Sequence, residues 1–368
     1  NYNTVVGDEA GTAITTGDQN VAVGFEALKT TTTAGNNTAL GYKALRLNTT
    51  GNANVAVGVV ALGANTTAVD NTAVGYNSLG ANTTGDRNTA LGRNSLASNV
   101  DGDRSVAVGY DALSSQDPSS NVDMYNVGVG YAAGAAVTTG VQNTLIGGLA
   151  GDALTEADAN VAIGKGALTT DTLGSSSVAV GNNALTNQNF TSATDTYNVA
   201  VGKNAGLAVT TGIQNTFIGG LSGDATTTAN NNAAFGYGSL GANTTGAQNV
   251  ALGSGALFNN TTASNNTAVG INSLLANTTG ASNVAVGAFA LDANTTASNN
   301  TAVGYASLTA NTTGRDNTAL GFSAGVTNTT GLENTAIGMY ALRFNTTGST
   351  NTAVGLQALH RNTTASNN

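Results

Sequence analysis

The sequence predicts an all-β fold, a parallel β-solenoid that extends as a rod. Three observations lead to this class. A unit of 17 residues recurs 21 times along the chain. The fifth residue of every unit is Gly. Only 8% of the residues are charged and 5% are aromatic, and Trp and Cys are absent. So few large side chains cannot build a thick core, whereas a coil made of one unit needs only a few small apolar residues.

The consensus unit reads N-T/V-A-V-G-Y-x-A-L-x-x-N-T-T-G-x-x, and positions are counted from its first residue. Nineteen units contain 17 residues, and two contain 21, at 105–125 and 177–197. The units follow one another without interruption. We therefore expect one repeat domain over residues 1–368, with 21 coils of 17 residues and two longer coils.

Apolar residues at alternate positions locate the strand. The second position is nearly always Thr or Val, and the fourth is Val, Leu, Ile or Phe. This period of two predicts a short strand that points these two side chains inward. The ninth position, Leu in 15 units and Gly in six, predicts a second apolar anchor. We expect Val74 and Leu79 to be buried, and Lys43, Asp86 and Arg87 to be exposed.

Two further positions predict backbone and hydrogen-bonding features. The invariant fifth glycine, as in Gly75, Gly92 and Gly304, predicts a corner with positive φ or with no room for a Cβ atom. The first position is Asn in 19 units, which predicts a ladder of stacked amides at the strand spacing. Adjacent threonines at the thirteenth and fourteenth positions, present in 16 units, predict a similar ladder.

The two long units interrupt the period and are the expected places for contact with another molecule. Their extra residues fall within Ser114–Tyr125 and Thr186–Tyr197. Because stacked strands fix the register on either side, we expect these residues to project as loops. Their polar and aromatic content suits recognition of a cell-surface glycan or protein, and the candidate residues are Asp117, Asp123, Tyr125, Phe190, Asp195 and Tyr197.

The chemistry of the side chains argues against several classes of function. There is one histidine, His360, and no cysteine, so no catalytic triad can be proposed and we expect no enzyme and no cofactor. Acids near Asp101 and Asp152 leave calcium as an alternative, but no calcium-binding nonapeptide recurs. A net charge of −9 without a basic patch disfavours nucleic acid. No apolar stretch is long enough for membrane insertion.

The run NTAVGYNSLGANTTG at Asn71–Gly85, nearly repeated at Asn300–Gly314, resembles the repeats of phage tail-fibre proteins. The run at Ser105–Gly109 is similar to the core of the β-roll head in trimeric adhesins of the YadA type. The resemblance implies an extracellular rod, in a virion fibre or at a cell surface. Together with the small residue that precedes the ninth position, it favours self-association of the rod, with three chains expected.

Two functions from different classes therefore remain open. The first is a structural rod segment of an extracellular fibre, in which the repeat sets length and stiffness. The second is an ice-binding solenoid that presents ladders of threonine. Adjacent threonines in an extended segment point to opposite sides, so only one threonine of each pair could face outward.

Overall fold

The computed structural model describes residues 2–368 and confirms the predicted fold class. The chain is an all-β parallel β-solenoid of about 21 turns, with about 17 residues in each turn. Strands of successive coils pair in parallel and in register. Thr72 lies opposite Thr89, for example, and Val74 lies opposite Leu91. Identical positions of the repeat therefore stack above one another.

The described residues form two compact units. The first contains the residues up to Asn182 together with Asn189–Asp195, and the second contains Asn183–Gln188 with Thr196–Asn368. The prediction of one repeat domain stays a prediction. The strands of the first unit are β1 (Thr4–Val6), β2 (Val21–Val23), β3 (Thr38–Leu40), β4 (Val55–Val57), β5 (Thr72–Val74), β6 (Thr89–Leu91), β7 (Gly102–Asp103), β8 (Val106–Val108), β9 (Val122–Asp123), β10 (Val127–Val129), β11 (Thr144–Ile146), β12 (Val161–Ile163), β13 (Gly174–Ser175), β14 (Val178–Val180) and β15 (Thr194–Asp195). Those of the second are β16 (Val199–Val201), β17 (Thr216–Ile218), β18 (Ala233–Phe235), β19 (Val250–Leu252), β20 (Thr267–Val269), β21 (Val284–Val286), β22 (Thr301–Val303), β23 (Thr318–Leu320), β24 (Thr335–Ile337) and β25 (Thr352–Val354).

Each main strand ends at the invariant glycine. The φ angles of Gly75, Gly92 and Gly304 are +134°, +137° and +132°, so the expected positive φ is observed. A Cβ atom on Gly75 would lie 2.5 Å from the carbonyl oxygen of Gly92 in the next coil. Both the backbone angle and the close stacking of coils therefore require glycine here.

The prediction that the strand's second and fourth side chains point inward is wrong. Val74, at the fourth position, is 37% exposed, while Ala73 between the two is fully buried. Leu79, at the ninth position, is buried as expected. The leucine fills the narrow interior and leaves room opposite it only for the methyl group of alanine. The bulkier Thr and Val side chains consequently point outward.

The predicted exposure of three charged residues is correct for one of them. Arg87 is exposed, whereas Lys43 and Asp86 are half-buried. The Lys43 ammonium lies 4.9 Å from the centre of the Tyr42 ring. The Asp86 carboxylate accepts a hydrogen bond of 2.7 Å from the backbone N–H of Val69. Contacts with the same or the preceding coil cover both side chains.

The predicted amide ladder at the first position is confirmed. The side-chain oxygen of Asn20 accepts hydrogen bonds from the backbone N–H of Asn37 at 3.0 Å and from its Nδ2 at 3.2 Å. The same Nδ2 donates to the carbonyl of Gly51 at 2.9 Å. These buried amides satisfy backbone groups at a corner that no strand pairing reaches.

A second amide ladder, which sequence reasoning missed, runs along the twelfth position. Asn65 Nδ2 donates to Asn48 Oδ1 at 2.8 Å, and Asn82 Nδ2 donates to Asn65 Oδ1 at 3.1 Å. The asparagine in the recurring Asn-Thr-Thr triplet was the available signal. The triplets also match the N-glycosylation pattern, but the amides of Asn65 and Asn82 are fully buried and hydrogen-bonded in the folded chain.

Candidate interaction surface

The outward side of the main strands is an apolar surface that recurs from coil to coil. We call it the outward strand face and define it by the second and fourth positions, as in Thr72 and Val74. The fourth position is aliphatic or Phe in every unit, and none of these side chains is buried. Leu320 is 47% exposed, and Ile146 is 37% exposed. A surface of this regularity, without charge at either position, is unusual for a side of a sheet that faces water.

Aromatic side chains also recur at the sixth position of the first unit, two residues after this face in sequence. The ring of Tyr110 stacks on that of Tyr131, with centroids 5.6 Å apart. The Arg93 guanidinium lies between Tyr76 and Tyr110, 5.5 Å and 5.7 Å from their ring centres. Tyr76 and Tyr131 remain 52% and 61% exposed. The row adds exposed aromatic surface to the first unit.

In the first long coil, residues 119–123 are all exposed, as expected for a projecting segment, but the segment is held to the preceding coil. Its strand β9 pairs with β7, placing Val122 opposite Gly102. The two ends of the inserted segment are also anchored, because Pro118 and Met124 are buried. The inserted segment is thus anchored by a two-residue strand pair, while residues 119–121 lie outside the strands and are exposed.

Two of the three candidate recognition residues in this coil lie together. Asp123 forms an ion pair with Arg104 and accepts a hydrogen bond of 3.1 Å from the hydroxyl of Tyr125. The guanidinium of Arg104 is 5.8 Å from the centre of the Tyr125 ring, which is 51% exposed. Asp117 is exposed and accepts a hydrogen bond from the backbone of Val100. Sequence reasoning missed Arg104, which lies in the preceding coil.

In the second long coil, Phe190 is not available for recognition, and the interpretation of it as a surface contact is wrong. It is only 7% exposed, and its N–H donates to the carboxylate of Asp171 at 2.9 Å. An aromatic side chain in a narrow coil gains more by covering the interior than by facing water. Asp195 and Tyr197 are exposed, and Asp195 accepts a hydrogen bond of 3.2 Å from the Ser176 hydroxyl.

A scan against models of protein families gave no match, and a search of curated proteins gave none either. Within residues 2–368, no group of three or more His, Asp or Glu side chains is placed to hold a metal ion. His360 packs edge-on against Phe344, with ring centres 4.9 Å apart. The same residues include no helix with the length and hydropathy of a membrane span.

One half-buried acid offers a test of the electrostatics of the coils. Burial raises the pKa of Asp292, opposed by smaller effects of backbone hydrogen bonds, and its Oδ1 has no hydrogen-bond partner among the described residues. Because the folded-state pKa is raised, the ionised carboxylate opposes folding at neutral pH. This penalty disappears as the pH falls through the raised pKa towards the unfolded value.

We expect Asp292→Asn to raise the melting temperature at pH 7, because burying a neutral amide costs less free energy than burying a charged carboxylate. The gain should shrink as the pH is lowered through the acid range. Thermal unfolding followed by circular dichroism over that range measures both effects. Glu333→Gln removes the same charge from an exposed position of the second unit and serves as the control. An equal gain from the control would show that net charge, not burial, is responsible.

Proposed function

We propose that this chain is a structural, non-catalytic rod segment of an extracellular fibre, of the kind found in phage tail fibres or trimeric surface adhesins. The observation that carries the proposal is the outward strand face. Its side chains are apolar or Thr in unit after unit, although they do not contribute to the interior of the coil. The interior is already filled by alanine at the third position and leucine at the ninth.

Other copies of the same chain are the partner that this face suits best. Each coil presents a similar uncharged pair of side chains, so the strands of two aligned copies can match one another coil by coil. The face carries no charge that a partner would have to complement. Burial of a regular apolar surface contributes about 25 cal/mol per Å², so many small contacts add up along the repeat. We propose that copies associate through this face, with three chains as the expected number.

The test is the association state of a charged variant. We expect Val74→Lys with Leu320→Lys to reduce the mass of the assembly in sedimentation equilibrium, because each lysine places a charge in the apolar contact. Circular dichroism should show that the coils remain folded, since both side chains already face outward. The matched control is Thr67→Lys with Thr330→Lys, which adds the same charge at exposed corner positions. A monomeric native chain, or an assembly unaffected by the first pair, would contradict the proposal.

An ice-binding solenoid is the second candidate, and the threonines favour it. Eleven of the 21 units carry Thr at the second position, on the outward strand face. At the corner, the hydroxyl of Thr49 donates to the carbonyl of Thr66 at 3.0 Å, while Thr50 is exposed. One threonine of the pair thus faces water, at a spacing of about 4.8 Å between coils. Thermal hysteresis in a freezing assay, lost in the Val74→Lys and Leu320→Lys variant, would favour this candidate.

A further inference from the structure

An open groove with a basic rim lies on the first unit. Its volume is about 400 Å³. Residues of three successive coils line it. The lining includes Lys43, Arg46, Leu47, Val60, Gly63 and Asn77. The groove exists because Gly63 and Gly80 occupy the tenth position, where the preceding coil carries Arg46. Because glycine has no side chain, these two tenth positions leave a space of the size that small ligands occupy.

The charges around this groove leave one cation unpaired. Lys29 forms ion pairs with Glu9 and Glu26, and Lys43 lies 3.7 Å from the second oxygen of Glu26. Arg46 forms no ion pair with any residue in the range 2–368. The cluster thus has three cations against two carboxylates, in a chain whose formal net charge is −9. An unpaired guanidinium beside an ammonium is a ready binding site for a carboxylate.

The other residues of the groove indicate a ligand that has more than a negative charge. Asn77 provides an amide that can donate to and accept from hydroxyl groups. Leu47 and Val60 provide an apolar wall that suits the C–H face of a sugar ring. The glycine floor lets a ligand approach the backbone closely. We propose that this groove binds an acidic sugar, with the carboxylate at Lys43 and Arg46 and the ring against Val60 and Leu47. The proposal is independent of the proposed structural role.

The experiment compares glucuronate with glucose, which share a ring and differ in charge, by calorimetric titration of the full chain. We expect glucuronate to bind at least about tenfold more tightly than glucose, the effect of one charge-assisted contact. Lys43→Gln with Arg46→Gln should remove this preference. Lys165→Gln with Lys203→Gln removes the same charge from exposed positions outside the groove and should leave binding unchanged.

A second variant fills the groove and leaves its charged residues unchanged. Gly63→Phe should block binding of glucuronate, and Phe258, at the same repeat position of another coil, indicates that the fold accepts the ring. Circular dichroism checks that each variant is folded. Absence of glucuronate binding to the native chain, equal affinity for glucose, or binding that survives both groove variants would overturn the proposal. Inorganic sulfate that binds as tightly as glucuronate would do the same, because it would show that the groove does not recognise the ring.

Discussion

Replacing Gly75 with Val should destabilise the first unit by roughly 3 to 5 kcal/mol, the range in which backbone strain and a steric clash act together. The φ of Gly75 is +134°, which a β-branched residue adopts only with strain. A Cβ atom would also lie 2.5 Å from the carbonyl oxygen of Gly92, and backbone cannot move aside as a flexible side chain can. Urea unfolding followed by circular dichroism measures the loss.

Gly148→Val provides the matched control for this prediction. Gly148 belongs to the same unit of the structure, its φ is not positive, and no atom lies within 4 Å of the position of its Cβ. We expect this variant to change the free energy of unfolding by less than about 1 kcal/mol. Similar losses in the two variants would mean that neither positive φ nor stacking of coils explains the invariant glycine.

Replacing Phe217 with Ala should destabilise the second unit by about 3 to 5 kcal/mol, the cost of truncating a buried aromatic side chain. Phe217 occupies the third position, where most coils carry alanine, and it is fully buried. The ninth position of its coil is Gly223, so the ring fills the space that leucine occupies elsewhere. A Cβ atom on Gly223 would lie 2.4 Å from that ring.

In this coil the large side chain is at the third position, Phe217, and the ninth position is Gly223. A second substitution at Gly223 should therefore compensate for the loss of Phe217. Gly223→Leu alone should be strongly destabilising, because the leucine would collide with the ring. Phe217→Ala combined with Gly223→Leu should recover much of the loss, since it restores the usual pair and φ at Gly223 is +57°, close to the +50° of Leu79. Unfolding free energies of the four chains give the coupling directly. Additive losses in the double variant would refute the idea that the two positions share one volume.

The two long coils show a similar exchange between hydrogen-bonding side chains, which the sequence contained but sequence reasoning did not use. They are the only units with Ser at the first position, and they are the only ones with Gln at the twelfth. In the first of them, Gln116 Oε1 accepts from Asn126 Nδ2 at 2.9 Å, and Gln116 Nε2 donates to the Ser105 hydroxyl at 3.0 Å. The longer Gln116 side chain reaches across the coil and fills the space that Ser105, shorter than the usual asparagine, leaves open.

The candidate surfaces were less accessible to sequence reasoning than the fold was. Asp123 and Tyr125 were identified from the interrupted period and the composition of the long unit, but their partner Arg104 comes from another coil and is brought close only by stacking. Phe190 was misjudged because its polar neighbours in sequence do not reveal that its ring is buried, while its backbone N–H donates to the carboxylate of Asp171. The groove at Lys43 and Arg46 depends on glycines one and two coils away.

The sequence by itself determined the length of the coil, the position of the strand, the glycine corner and the amide ladder of the first position. Each of these follows from one repeat unit stacked on identical copies, so the pattern within a single unit is sufficient. Only the tertiary structure decided which side of the strand faces inward. A period of two places Thr72 and Val74 on one side and Ala73 on the other, but it does not say which side is buried. The leucine at the ninth position, Leu79 in this coil, settles the question, because its side chain fills the interior and leaves space only for alanine.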